Sequence, residues 1–246
     1  MIIIAFEGVD GAGKGTQSKL FYEDLVVRLK DATVKYTSFP SYTETYFGSQ
    51  IGKFLDESPE YKGSSEYPKL ISLMYSLDRF EKIKQLKEQT KGRPTVVVSD
   101  RYTYSNVAYQ TSMVTSQDAK FDVKNHILKT EFDVLGLPKP KFTIFLDIDP
   151  EQSKKMVSQK QKREYTDLVH DVYEKDPEII KRSREAYISM MDDSWIHINC
   201  MGSDGTLRTI EDIQNEIVER VVPKIQKIID FKVFCIRQSI NGVVNG

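Results

Sequence analysis

Residues 7–16 read Glu7-Gly8-Val9-Asp10-Gly11-Ala12-Gly13-Lys14-Gly15-Thr16, directly after the apolar run Ile2-Ile3-Ile4-Ala5-Phe6 and ahead of a helical pattern. A strand, a glycine-rich turn closed by lysine and a helix are the context that a phosphate-cradling loop requires. The glycines let the chain curl so that successive N–H groups face one phosphate. The helix that follows offers its positive end, and Lys14 spans the β- and γ-phosphates. Gly8, Val9, Asp10, Gly11, Ala12, Gly13, Lys14, Gly15 and Thr16 are therefore the candidate ATP-binding residues. One position departs from the usual pattern: Gly15 follows the lysine, where Ser or Thr ordinarily gives its hydroxyl to magnesium, and Thr16 comes next. Thr16, bound water and more distant carboxylates are expected to serve Mg2+ instead.

The chain has 246 residues, 39% of them hydrophobic, enough to bury the core of one domain. Its 35 basic and 36 acidic side chains leave a formal charge of -1, so no global field points to a nucleic acid or a membrane, and charge that meets phosphates must be local. The N-terminal residues enter a strand at once, and no apolar run approaches the roughly 20 residues of a spanning helix. A soluble, cytoplasmic protein is the expectation. Cys200 and Cys235 lack metal-ligand spacing and read as reduced thiols, and His126, His170 and His197 are too scattered for a metal site.

Strand-like runs at Ile2–Phe6, Thr33–Ser38, Thr95–Ser99, Phe142–Asp147 and Trp195–Ile198 alternate with helical patterns at 13–30, 67–89, 121–135, 177–191 and 210–229. That rhythm predicts a three-layer α/β/α fold of the P-loop NTPase type, with a five-stranded, mostly parallel sheet. The continuous apolar runs Val96-Val97-Val98 and Ile144-Phe145-Leu146 suit central strands covered on both faces. Pro223 falls inside the last helical pattern, where a kink is expected, and residues 231–246 read as a loose extension.

Ligands of such folds gather at the carboxyl ends of the strands. Asp100 ends the third strand there and is followed by Arg101 and Tyr102. Asp100 suits indirect coordination of magnesium, and Arg101 suits a clamp on the transferring phosphoryl group. Tyr75 and Arg79 stand four apart on one helical face, an aromatic plate beside a guanidinium fork. Asn106 and Tyr109 share a face if the segment after Arg101 is helical, and an asparagine offers both a donor and an acceptor to a base edge. Between Pro150 and Pro177 lies a polar run carrying Lys154, Lys155, Lys160, Lys162, Arg163, Asp167, Asp171, Glu174 and Lys175. Beside a phosphate loop, this run reads as a mobile lid over about 150–176 that excludes water and brings cations to the triphosphate.

Taken in order, Phe6-Glu7-Gly8-Val9-Asp10, Phe39-Pro40, Tyr75 with Asp78-Arg79, Asp100-Arg101-Tyr102, Ser105-Asn106, Ala108-Tyr109-Gln110, Leu135-Gly136-Leu137-Pro138-Lys139-Pro140 and Asp171-Val172-Tyr173-Glu174 resemble the thymidylate kinases. These enzymes pass the γ-phosphate of ATP to dTMP, and the resemblance covers residues 1–230. It implies that Asp10 contacts the acceptor's 3′-hydroxyl and that Phe39 and Tyr75 enclose the base. It further implies that Arg79 holds the acceptor phosphate, Arg101 bridges donor and acceptor, and Tyr109 disfavours a ribose. Asn106 and Tyr173 complete the implied dTMP-binding set, and Thr16, Asp100 and Glu174 the metal side. Because Gly11 stands where some members carry a loop arginine, the resemblance moves the catalytic arginine to the lid, at Arg163, with Lys160 and Lys162 beside it. Asp10, Lys14, Arg101 and Arg163 are thus the expected catalytic residues of a Mg2+-dependent enzyme, expected to be a homodimer. A deoxynucleoside kinase or a broader nucleoside monophosphate kinase remains the nearest alternative. An ATP-driven switch protein without an acceptor is the alternative of another class.

Overall fold

The computed structural model describes residues 1–57, 65–158 and 177–244. Five strands form one sheet: β1 (Ile2–Glu7), β2 (Thr33–Ser38), β3 (Thr95–Asp100), β4 (Phe142–Asp147) and β5 (Trp195–Asn199), in the spatial order β2-β3-β1-β4-β5 with every pairing parallel. The central strand β1 is buried along its whole length, and Val96, Val97 and Val98 of β3 are buried beside it. A strand covered on both faces needs no polar alternation, which is why these runs are unbroken in hydrophobicity.

Helices cover both faces. From β1 the chain crosses outward through α1 (Lys14–Arg28) to the edge strand β2 and returns through α2 (Tyr46–Glu57) and α3 (Glu66–Gln89) to β3. It then passes through α4 (Thr103–Ser112), α5 (Gln117–Leu128) and a π-helical turn (Lys129–Val134) to β4, and through α6 (Pro150–Ser158) and α7 (Pro177–Met190) to β5. The long α8 (Ile210–Val244) closes the chain. Right-handed crossovers send the connection toward β2 to one face and the later connections to the other, which sorts α1 from α3, α4, α5 and α7, while α8, which follows the last strand, packs on α1. Contacts of α1 with α8 and of α4 with α3, α5 and α7 follow that sorting.

All five expected strands are present to within one residue. The helices show more differences. The expected helix at 121–135 begins earlier, where the Ser116 side chain caps α5 by accepting from the Ala119 N–H at 3.2 Å, and it widens into the π turn after Leu128. The last helix runs through Pro223 and on to Val244. Its buried stripe ends at Ile229, and beyond it Phe231 and Phe234 are exposed, so apolar periodicity carries no signal for that final stretch. No described helix is long and apolar enough to cross a membrane.

Candidate active site

The loop after β1 curls as its glycines suggested. Gly11 and Gly13 sit at φ 78° and 84°, in the left-handed region that side chains disfavour. At Gly11 space is also closed: a Cβ there would lie 2.6 Å from the Ser153 carbonyl oxygen of α6. The Ser153 hydroxyl in turn donates to the Asp10 carbonyl at 2.6 Å. Helix α6 is therefore docked on the loop, and the start of the expected lid is a packed helix. Its position physically excludes an arginine at residue 11. Helix α1 begins at Lys14 with no acidic residue of its own in the first turn, so its N-terminal amides are not capped from within the helix. Lys14 is buried and donates to the Val9 carbonyl at 2.8 Å.

At the end of β3 the backbone of Arg101 takes φ 65°, the one non-glycine residue with positive φ among the described residues, and its N–H donates to the Phe6 carbonyl at 2.9 Å. A bulky residue in that conformation is strained, and such strain gathers where a side chain must be aimed. The guanidinium is aimed at Asp10: Nη2 donates to Oδ1, and the group lies 5.2 Å over the Tyr109 ring. Tyr109 donates to the other Asp10 oxygen at 2.8 Å. Burial is the largest influence and works against the Arg101 charge, but Asp10, Tyr109, Tyr187 and Asp100 together overcome it and hold the group firmly protonated. Burial first, and Asp10 second, push the Tyr109 hydroxyl well above its ordinary value, so it stays a neutral donor. Segment 103–112 is helical, which places Asn106 and Tyr109 on α4 as the condition required.

Glu7, to which the sequence assigned no role, is fully buried beneath this pair. It accepts from the Tyr102 N–H at 3.0 Å, from the Ser105 hydroxyl, and from Tyr187 at 3.3 Å. Burial raises its pKa, opposed by the Ser105 hydrogen bond and by Arg101 and Lys14. By gripping the Tyr102 amide it fixes the turn that carries Arg101.

On the acceptor side, Phe39 is buried with its ring 5.9 Å from Tyr102, and Tyr75 is half-buried against the core. Asp78 braces this corner, accepting from the Ser41 N–H at 2.9 Å and the Thr45 hydroxyl. Arg79, expected to hold the acceptor phosphate, is buried and paired: Nε donates to Glu131 Oε2 at 2.8 Å and Nη2 to Oε1. A guanidinium neutralised in this way is a weak attractor for a phosphate dianion but a well-oriented hydrogen-bond donor. Asn106 donates to the same carboxylate at 3.0 Å. Glu131 had no sequence signal, because it is one acid in a polar run after α5. The other strand-end carboxylate, Asp147, is held bidentately by Arg184 at 2.6 and 2.9 Å and touches His197 at 2.9 Å, a structural cluster on the far side of β4.

Asp100 fits a magnesium role on the donor side. A Cβ at Gly15 would lie 3.2 Å from its Oδ2, so this carboxylate stands where the loop's missing hydroxyl would otherwise face. Among the described residues no cluster of three metal-ligating side chains exists. One carboxylate completed by phosphate oxygens and water is an ordinary shell for Mg2+, which when bound would neutralise charge on the β- and γ-phosphates. Thr16 is exposed in the first turn of α1. Arg163, Lys160, Lys162, Tyr173 and Glu174 lie outside the described residues.

An all-parallel sheet with β1 at its centre, a phosphate loop after β1 and an aimed arginine after β3 define a P-loop nucleotide kinase. A family model described as thymidylate kinase matches residues 6–217. A Plasmodium falciparum thymidylate kinase is 34% identical over 220 residues, covering 89% of this chain and 88% of that protein. A Methanocaldococcus jannaschii protein named "Probable thymidylate kinase" is 29% identical over 218 residues, covering 88% and 94%. In fold, the chain is similar to the solved thymidylate kinase of Candida albicans, with a TM-score of 0.66 at 21% identity, covering 91% of this chain and 92% of that one. The chain belongs to the thymidylate kinase family, and its activity is the ATP-dependent phosphorylation of dTMP.

Proposed function

We propose that the transfer takes place over the loop of residues 8–16, with Lys14 and Arg101 meeting the charge that spreads over the moving phosphoryl group. The new bond joins an acceptor phosphate oxygen to the γ-phosphorus while the β–γ bridging bond breaks, releasing ADP and dTDP. An acceptor phosphate is already anionic at neutral pH, so no general base is needed. The observation that carries this reading is the Asp10–Arg101–Tyr109 cluster set against the phosphate loop, which aims a protonated guanidinium at the place where two anions must meet.

In this reading Asp10 orients Arg101 and receives the acceptor's 3′-hydroxyl, Phe39 and Tyr75 flank the base, and Tyr109 crowds a 2′-hydroxyl. Asn106 and Arg79 meet the base edge, and Tyr173 completes the acceptor side. Asp100 serves Mg2+ through water, assisted by Thr16 and Glu174, and Arg163 supplies the lid cation. The closed space at Gly11 supports a lid arginine, since the loop has no room for one. Residues 1–230 act as the kinase domain, 150–176 as its lid and 231–246 as an extension. Exposed apolar side chains on α2 and α3, Tyr46, Leu70 and Phe80, support a homodimer; its proposed setting is the cytoplasm, with ATP and dTMP as its partners.

ADP release measured side by side with dTMP, dUMP, dCMP, dGMP and thymidine tests the reading. Turnover is expected to be highest with dTMP. Turnover of thymidine but not dTMP would make the chain a nucleoside kinase, and ATP hydrolysis indifferent to every acceptor would make it a switch protein.

A further inference from the structure

A single carboxylate organises the polar floor beside Phe39. Glu131 is fully buried on the π-helical turn and takes five donors from α3 and α4. Arg79 Nε and the Thr103 hydroxyl reach Oε2 at 2.8 and 2.6 Å. The Ser76 hydroxyl and Asn106 Nδ2 each reach Oε1 at 3.0 Å, and Arg79 Nη2 joins them there. Burial alone would push this carboxyl up, but Arg79 and the hydroxyl and amide donors hold it below its ordinary value, so it is a charged acceptor on both oxygens.

That network decides which way the Asn106 amide faces. Its Nδ2 has oxygen on three sides: Glu131 Oε1, the Ser72 carbonyl at 3.1 Å and the Ser76 hydroxyl at 3.4 Å. Turned over, the amide oxygen would confront a carboxylate and a carbonyl, like pole against like. Asn106 Oδ1 is thereby forced to the opposite side, where it is buried with no hydrogen-bond partner among the described residues. A buried orphan acceptor is costly unless something supplies it a donor. Arg79, anchored on the same Oε1, keeps only Nη1 turned away from Glu131, with its guanidinium carbon 5.9 Å from the Phe39 ring.

We infer that Glu131 is a positioning residue for acceptor choice: it presents Asn106 Oδ1 as an acceptor and Arg79 Nη1 as a donor, selecting a pyrimidine edge with an N–H beside a carbonyl over one with a bare ring nitrogen beside an amino group. The inference rests on the proposed reading of Asn106 and Arg79 as base-edge residues. With dCMP both contacts would be reversed, donor against donor and acceptor against acceptor.

The test is steady-state phosphorylation of dTMP, dUMP and dCMP by the full chain and by Glu131→Gln. The wild type is expected to use dTMP and dUMP far better than dCMP. In the variant, KM for dTMP should rise about tenfold with kcat within about threefold, and the dTMP-over-dCMP preference in kcat/KM should fall at least about tenfold. An unchanged preference, or a loss confined to kcat, overturns the inference while leaving the dTMP kinase reading intact. A wild type that ignores dTMP would instead strike at that reading. If the variant does not fold, the side-chain amide NMR signals of Asn106 in the wild type decide the matter. Those protons are expected to be slow to exchange and nearly unmoved by dTMP, because the base meets the oxygen. Fast exchange, or a large shift on binding, would show that the nitrogen faces the base and overturn the inference.

Discussion

Asp10 and Arg101 stand 91 residues apart in sequence, yet Oδ1 of one lies 2.5 Å from Nη2 of the other. The pair bridges the loops that leave the adjacent strands β1 and β3, so the phosphate cradle and the guanidinium that faces it are held in one register. Lysine could keep the charge but not the fork, which here spans Asp10 and the Ser105 hydroxyl at 3.4 Å. Arg101→Lys should therefore lower kcat with ATP and dTMP by about a hundredfold or more. Retained turnover in that variant would remove Arg101 from the transfer step.

Gly11 is constrained twice, by its positive φ and by the Ser153 carbonyl. Gly11→Ala should cost about 2–4 kcal/mol, read as a lowered denaturation midpoint, because α6 must shift off the loop to admit one methyl group. ATP binding should weaken in parallel. A variant with wild-type stability would show that the α6 contact yields freely.

Burial raises the Glu7 pKa above its ordinary 4.5, so the folded protein holds this proton more tightly than the unfolded chain. The stability linked to that proton is fully present below about pH 4.5 and is lost as pH rises through the folded value. Glu7→Gln has no such proton, and its stability relative to wild type should climb as pH goes from 4.5 to 7.5, measured by urea unfolding of both proteins. A difference that stays flat with pH would mean Glu7 is ionised throughout.

Arg163→Ala is expected to lower turnover by orders of magnitude while leaving ATP affinity nearly intact, since the loop's own arginine position is closed at Gly11. Single-turnover rates together with ATP titration separate the two effects. An unaltered rate would assign the role elsewhere, with Lys160 and Lys162 the next variants to make.

The strands could be read from the chain because burial on both faces leaves a local mark: Val96-Val97-Val98 and Ile144-Phe145-Leu146 declare themselves without knowledge of their neighbours. Helix α2 could not, since Gly48 and Gly52 interrupt its pattern. Gly48 is there for a distant reason, as a Cβ would lie 2.2 Å from the Ser41 carbonyl oxygen. In the site, Lys14 and Arg101 were legible because each sits in a distinctive local pattern beyond a strand end, Lys14 closing the glycine loop after β1 and Arg101 directly following Asp100. Glu131 was not, because its five donors come from α3 and α4, which pack together only in the folded chain. For the same reason nothing in the order of residues announces that the Arg79 fork is paired with Glu131.

What the chain carried in its local order was the phosphate loop, the parallel sheet and the residues at the strand ends, because backbone conformation and hydrophobic periodicity act over a few neighbouring residues. What only the folded arrangement settled was which of those charges are already spoken for. Arg79 belongs to Glu131, Asp147 to Arg184, and Arg101 to Asp10, each across dozens of residues. Pairing of buried charges depends on distance in space and on the water excluded around them, and neither quantity is written in residue order.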